Sequence, residues 1–383
     1  MKSIRLLLLG LAALCGNVHA APPPPEEIAD IPVTMMVELG SGQVLYARKP
    51  DLSFVPASMT KVMTAYVAFE EIVSGRLSLD RTFTVHPQTA RQWNGRGTSM
   101  FLTANETVST HDLLRGIMTA SANDASVALA EGYVGNVPAW TFMMNDSAKR
   151  LGMTKSAFNT PNGWPDEGKT FVSARDLVKL AASMIDRFPT LYRRYSGIRE
   201  FEWKGARLTS HDPVTGVVPG ADGIKTGYTR EAGYNFLGSA ERDGRRLVMV
   251  IAGARSERDR AEASRAFLEW AFSEWRARPL FARGTLVGTA RVQGGSRRNL
   301  ALITRQPIHA TIPADSGNDD QIRLSIRYRG PIAAPIDQGA KVADLEIRVG
   351  NLPPSHLPLY AKHAVSEAGP MDRLFNGLMN LIS

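Results

Sequence analysis

Ser58 and Lys61 stand three residues apart, ahead of residues 62–73, which are nearly all apolar apart from Thr64, Glu70 and Glu71. That run predicts a buried helix stopping near Gly75. The spacing puts a serine hydroxyl and a lysine amine on one face of its first turn. A serine hydroxyl needs a base before it can act as a nucleophile. Lysine is that base only if its ammonium loses a proton near neutral pH, which burial and a second cation both favour. The helix N-terminus also offers free backbone N–H groups to an oxyanion. Ser-x-x-Lys alone is a weak signal, because a chain of this length contains on the order of one by chance. The same two residues also suit a serine cap and a lysine reaching out to solvent.

Two further groups bear on that choice. Ser121-Ala122-Asn123 falls on a break between two helical patterns, residues 111–119, with Thr110 as the expected cap, and residues 125–133. Lys225-Thr226-Gly227 lies on a strand-like run flanked by glycines. Read together, the three groups suit acyl transfer. Ser58 attacks a carbonyl and Lys61 takes its proton. Ser121 relays the proton toward a leaving amine. Asn123 donates to a substrate amide and fixes Lys61. Lys225 adds positive field, lowering the proton affinity of Lys61 and attracting a carboxylate, which Thr226 hydrogen-bonds. Gly227 allows a substrate backbone to lie along the strand as an added edge. The backbone N–H groups of Ser58 and Tyr228 make the natural oxyanion pair.

At these residues the chain resembles the low-molecular-mass penicillin-binding proteins that are D-alanyl-D-alanine carboxypeptidases. The segments 223–229 (Gly-Ile-Lys-Thr-Gly-Tyr-Thr) and 232–235 (Ala-Gly-Tyr-Asn) look like that family's signature strand and turn, and the likeness covers roughly residues 31–275. The resemblance implies a serine β-lactamase/penicillin-binding fold and a substrate that is the D-Ala-D-Ala end of a peptidoglycan stem peptide. It implies β-lactams as covalent inhibitors, and neither a metal nor another cofactor. Arg260 falls where some relatives place a carboxylate-binding arginine; a surface position on a helix is the other reading. Two departures stand out. Ala122 replaces a glycine common in relatives, which suits a helical backbone angle there. Tyr228 replaces a histidine, which leaves the backbone N–H available but shifts substrate preference.

The elements around these residues predict an α+β fold: an antiparallel sheet packed with helices, then a small all-β domain and a C-terminal amphipathic helix. Hairpins are expected at residues 34–48 and 234–254, and helices at 137–151, from Ser173 to about 186, and at 257–276. Residues 77–108 read as short strands and loops. Composition changes at Arg278-Pro279, after which short alternating runs with Gly and Pro turns suggest a sandwich. The expected division is therefore a catalytic domain over 31–278 and an all-β domain over 279–365. Residues 371–383 carry apolar residues at helical spacing, too short to span a bilayer but suited either to a membrane interface or to docking on protein.

Residues 1–20 read as a secretory signal peptide, with Lys2 and Arg5 before a short apolar run and cleavage expected after Ala20. The proline-rich residues 21–30 read as an extended leader. The single cysteine, Cys15, lies within the signal segment, so the exported chain is expected to have no thiol or disulfide. The 383 residues carry a formal net charge of +8, or +6 without Lys2 and Arg5, which suits an anionic neighbour such as a membrane surface or wall polymer. The basic residues are scattered and no nucleic-acid module is recognisable. Export to a periplasm is expected, with the protein peripheral on the outer face of the cytoplasmic membrane. Three rival activities share the site: a β-lactamase, using Asp166 or Glu167 to activate water; an endopeptidase cutting cross-links; and a non-enzymatic wall-binding or β-lactam-sensing protein.

Overall fold

The computed structural model describes residues 21–315 and 322–369. The expected signal peptide and the amphipathic tail lie outside the described residues. The architecture is mixed α/β with antiparallel sheets and a C-terminal all-β portion.

A five-stranded sheet organises the first portion, in the order Gln43–Arg48, Val33–Glu38, Arg245–Ala254, Gly233–Arg242, Ala221–Thr229. Both expected hairpins form, and they join through Val33 opposite Ala252 and Glu38 opposite Leu247. The strand Arg245–Ala254 is apolar without interruption because both of its faces are covered. Val248 and Val250 enter one core with the helices Thr60–Val73 and Ala174–Arg187. Leu247, Met249 and Ile251 enter the other, with Phe267 and Leu268 of the helix Glu257–Ser273.

The helix Thr60–Val73 is buried on almost every side, as its composition predicts. The helix expected at 111–119 spans Thr110–Met118, and its cap is Ser109, whose hydroxyl accepts from the Asp112 N–H. Ser173 caps Ala174–Arg187 through the Asp176 N–H, as expected. The residues read as strands and loops contain a seven-residue helix, Pro87–Trp93, too short to show a period. The proline-rich leader is not a free extension. Ile28 is fully buried against the helix Glu257–Ser273, and the Trp270 indole donates to the Pro23 carbonyl at 2.6 Å.

The compositional change at Arg278-Pro279 falls inside a strand, Trp275–Phe281, which pairs with Ile308–Pro313. Beyond it lies a six-stranded sheet with its own apolar core, including Leu300, Leu302, Leu345, Ile347 and Leu359. This portion is held to the central sheet by a buried polar cluster. The Glu38 carboxylate accepts from the His309 ring and, at 2.6 Å, from the Thr311 hydroxyl. Thr311 lies 2.7 Å from Ser41. Gly40 leaves room for the ring: a Cβ there would stand 2.2 Å from His309 Cε1.

Burial pushes the Glu38 carboxyl up, but bonds from His309, Thr311 and Ser41 outweigh it and hold the group below its ordinary value of 4.5. A carboxylate lowered in this way stabilises the fold above its unfolded value and loses that contribution as pH falls through the folded one. His309→Ala strands a buried carboxylate and is expected to cost about 3–5 kcal/mol in denaturant unfolding at pH 7. The cost should shrink as the pH is taken below 4.5; a variant as stable as wild type at pH 7 contradicts this account of the contact.

Candidate active site

The chain turns sharply before the nucleophile. Ala57 has φ +50°, unfavourable for a residue with a side chain, and opens a 3-10 turn, Ala57–Met59, that runs into the helix at Thr60. Ser58 therefore sits in that turn, two residues ahead of the α-helix rather than in its first turn. The helix places Lys61 fully buried beneath it. Asn235 ties this turn to the sheet, donating to the Val55 carbonyl at 3.1 Å and accepting from the Gly253 N–H at 2.9 Å.

Three oxygens surround the Lys61 Nζ: Ser58 Oγ at 2.9 Å, Asn123 Oδ1 at 2.8 Å and the Asn162 carbonyl at 2.7 Å. Two of them only accept. The Asn123 amide is oriented by its Nδ2, which donates to the Arg96 carbonyl at 3.0 Å, so its oxygen faces the lysine. A neutral amine has two N–H groups and one lone pair. With both N–H groups committed to Asn123 and Asn162, the lone pair points at the serine hydroxyl. Burial drives the Lys61 amine well below its ordinary value, Lys225 pushes it further, and Asp124 partly opposes them. Geometry and proton affinity thus agree on a base aimed at Ser58.

Ser121 is buried with φ +60° and its carbonyl accepts from Thr98 at 2.6 Å; its hydroxyl is not among the partners of Lys61. Ala122 has φ −60° and ψ 120°, extended rather than the helical angle expected of it, and an alanine adopts that freely. The left-handed residue of the motif is the serine.

Gly227 has a different reason from the one its sequence suggests. A Cβ there would lie 2.4 Å from the Pro56 carbonyl oxygen and 3.3 Å from the Met59 backbone nitrogen. The missing side chain lets the strand close on the nucleophile turn, bringing the Tyr228 and Ser58 segments together. Lys225 is buried, bonded to the Thr226 carbonyl at 3.2 Å. Burial and Arg260 lower its amine to about 7, against Asp212. Arg260 is not a surface residue: its side chain is 3 % exposed, paired with Glu257 at 2.9 Å and lying 5.8 Å from the Tyr234 ring. Its Nε has no hydrogen-bond partner. Tyr234 stacks on Tyr228, which is half-exposed at the strand end. Lys225, which acts on Lys61, is thus acted on in turn by a second buried cation, Arg260.

The sequence reading missed Asn162, Arg96 and Asp124. The first two act through backbone carbonyls, which leave no residue signature. The Asp124 carboxylate accepts from Ser99 Oγ and from the N–H groups of Met100 and Leu102, fastening the loop ahead of Asn123. The carboxylates of the β-lactamase reading point elsewhere. Asp166 accepts from the N–H and hydroxyl of Thr170, and Glu167 is exposed beside Lys169.

Residues 19–256 match the family model for D-alanyl-D-alanine carboxypeptidase, and residues 275–367 match that for the penicillin-binding protein 5 C-terminal domain. The chain is 31 % identical to the D-alanyl-D-alanine carboxypeptidase DacF of Bacillus subtilis, covering 88 % of this chain and 86 % of that one. It is 32 % identical to DacD of Escherichia coli, covering 94 % and 92 %. Its fold resembles penicillin-binding protein 5 from Haemophilus influenzae, with a TM-score of 0.74 at 27 % identity, over 91 % of this chain and 100 % of that one. The chain belongs to the S11 peptidase family of D-alanyl-D-alanine carboxypeptidases.

Proposed function

We propose that this protein is a serine D-alanyl-D-alanine carboxypeptidase that trims the terminal D-Ala from peptidoglycan stem peptides and is acylated by β-lactams. The observation that carries the reading is the Lys61 amine, buried without a carboxylate partner and within 2.9 Å of Ser58 Oγ. In this mechanism Ser58 attacks the carbonyl between the two D-Ala residues as its proton passes to Lys61. The N–H groups of Ser58 and Tyr228 hold the oxyanion. The proton moves through Ser121 to the leaving amine as the C–N bond breaks. Water then attacks the acyl-enzyme, giving its proton back through the same base and freeing Ser58. Asn123 holds Lys61 and donates to the substrate amide. Lys225, Thr226 and Arg260 take the terminal carboxylate, with the Gly227 strand alongside.

We divide the chain into a catalytic unit ending before Trp275 and an all-β unit that starts with the strand Trp275–Phe281. Residues 1–20 direct export, and the tail holds the protein at the outer face of the cytoplasmic membrane. Among the described residues no helix is long and apolar enough to cross a membrane, so this attachment rests on the apolar spacing of residues 371–383.

The deciding experiment is D-alanine release from a peptide ending in D-Ala-D-Ala. Residues 21–383 are expected to release it and the Ser58→Ala variant to release none, with labelled penicillin bound by the first alone. Cleavage of cross-linked dimers without D-alanine release points instead to an endopeptidase, and rapid penicillin clearance to a β-lactamase. The pH profile of kcat/KM follows from the two lysines. Activity rises as Lys61 loses its proton, and falls above about 7 as Lys225 loses the charge that holds the carboxylate. A rate that keeps climbing from pH 7 to 9 removes Lys225 from carboxylate binding. Deleting residues 371–383 should move the protein from the membrane to the soluble fraction with D-alanine release intact; unchanged fractionation assigns the tail to docking on protein.

A further inference from the structure

Two loops, one holding Asn123 and one carrying Asn162, support the acceptors of the Lys61 amine, and they meet at Arg96 and Trp164. Arg96 is exposed, and its guanidinium carbon lies 5.3 Å from the centroid of the Trp164 ring. Trp93 packs edge-on against the same indole, with centroids 5.4 Å apart and planes at 80°. Among the described residues Arg96 makes no ion pair, so the indole face is what its cation meets. Gly97, at φ +67°, allows the approach: a Cβ there would stand 3.2 Å from the Trp164 ring and 2.8 Å from Asn123 Nδ2.

Each side of this stack leads to one acceptor of the base. From Arg96, the backbone carbonyl takes Asn123 Nδ2 at 3.0 Å, and the Thr98 carbonyl takes the Asn123 N–H at 2.8 Å. These two bonds fix the amide whose oxygen meets Lys61. From Trp164, the backbone N–H donates to Asn162 Oδ1 at 3.0 Å, shaping the turn whose Asn162 carbonyl meets Lys61. Gly163 lies against the nucleophile turn so closely that a Cβ would be 1.9 Å from the Ala57 carbonyl oxygen.

We propose that Arg96 and Trp164 are positioning residues, a cation–indole clasp that locks the two loops together and sets the two carbonyl acceptors of the catalytic lysine. The clasp rests on the carboxypeptidase reading for the reaction it serves. It touches neither Ser58 nor the Lys61 amine. Its effect passes through Asn123 and Asn162, which keep the amine dry and its lone pair on the serine. The charged groups acting on Lys61 are Lys225, which favours the neutral amine, and Asp124, which opposes it; neither belongs to the clasp. Opening the clasp lets water reach the amine, raises its proton affinity and moves the acid limb of the reaction to higher pH.

The test measures Ser58 acylation by a fluorescent penicillin and D-alanine release as functions of pH, with melting temperature, on residues 21–383. The proteins compared are wild type, Arg96→Ala, Trp164→Ala, the double variant and Trp164→Tyr. Arg96→Ala and Trp164→Ala are each expected to slow acylation about tenfold at neutral pH and to shift the acid limb upward. The double variant should be no slower than Trp164→Ala, because the two side chains act as one unit. Trp164→Tyr keeps an aromatic face and should recover most of the rate. Arg96 is exposed, so its removal is expected to leave the melting temperature within a few degrees of wild type. Single variants with the wild-type rate and acid limb, beside an active wild type, overturn the clasp and leave the carboxypeptidase reading standing. Losses that multiply in the double variant with an unmoved acid limb also overturn it, by assigning the residues to independent contacts. A wild type that is neither acylated nor able to release D-alanine fails the carboxypeptidase reading itself, and the clasp with it.

Discussion

A lysine amine buried with no carboxylate touching it is costly as an ion, and the site turns that cost into a neutral amine with a free lone pair. Water has been removed from around Lys61, and a second cation, Lys225, acts on it from the neighbouring strand. Two neutral acceptors, the Asn123 amide oxygen and the Asn162 carbonyl, replace the lost water without supplying negative charge. A carboxylate in either place would favour the ammonium and end its use as a base. The acidic group that does act on it, Asp124, spends its oxygens on Ser99, Met100 and Leu102. The arrangement satisfies the N–H donors of the amine and leaves its proton affinity low.

The same economy of charge governs Lys225 and Arg260. Lys225 is buried close enough to Arg260 for that cation to lower its amine, and each retains an acidic neighbour, Asp212 and Glu257 respectively. The pair is compensated when empty yet still has an unpartnered donor in Arg260 Nε. An arriving carboxylate would relieve the repulsion between the cations. Lys225 therefore lowers the affinity of Lys61 for a proton, and under the proposed function it would also attract the end of the peptide to be cut.

The central sheet and the nucleophile helix were legible because both are periodic over many residues, and residues 62–73 could hardly be anything but buried. The chemistry was legible through side chains: Ser58, Lys61, Asn123 and Lys225 announce themselves by type and order. Geometry carried by the backbone was not. Nothing in the residue types shows that Ser121 and Ala57 take positive φ, or that the Asn162 carbonyl completes the base. Arg260 could be read equally as surface or site, since a helix position alone does not say which face is covered; its burial against Tyr234 decides that the side chain is not at the surface. The helix Pro87–Trp93 escaped notice because seven residues hold fewer than two turns. The docked leader escaped because its hold on the helix Glu257–Ser273, the bond from Trp270 to Pro23, spans most of the catalytic unit.

Close backbone approach explains why glycine recurs around the serine. Gly227 abuts Pro56 and Met59, Gly163 abuts Ala57, and Gly97 abuts Asn123 and Trp164. In each case a side chain would push apart two segments that must be within hydrogen-bonding distance of a common centre. Two separate stretches of chain, the strand at 225–228 and the loop at 161–164, thereby converge on one turn, and the loop at 93–99 closes on the second of them through Trp164. A site assembled this way depends less on any single side chain than on how tightly its loops are pressed together. Asn235 supplies that pressure from the sheet through its bond to Val55, and local fastenings such as Asp124 to the loop ahead of it and the Arg96–Trp164 stack supply it where the sheet does not reach.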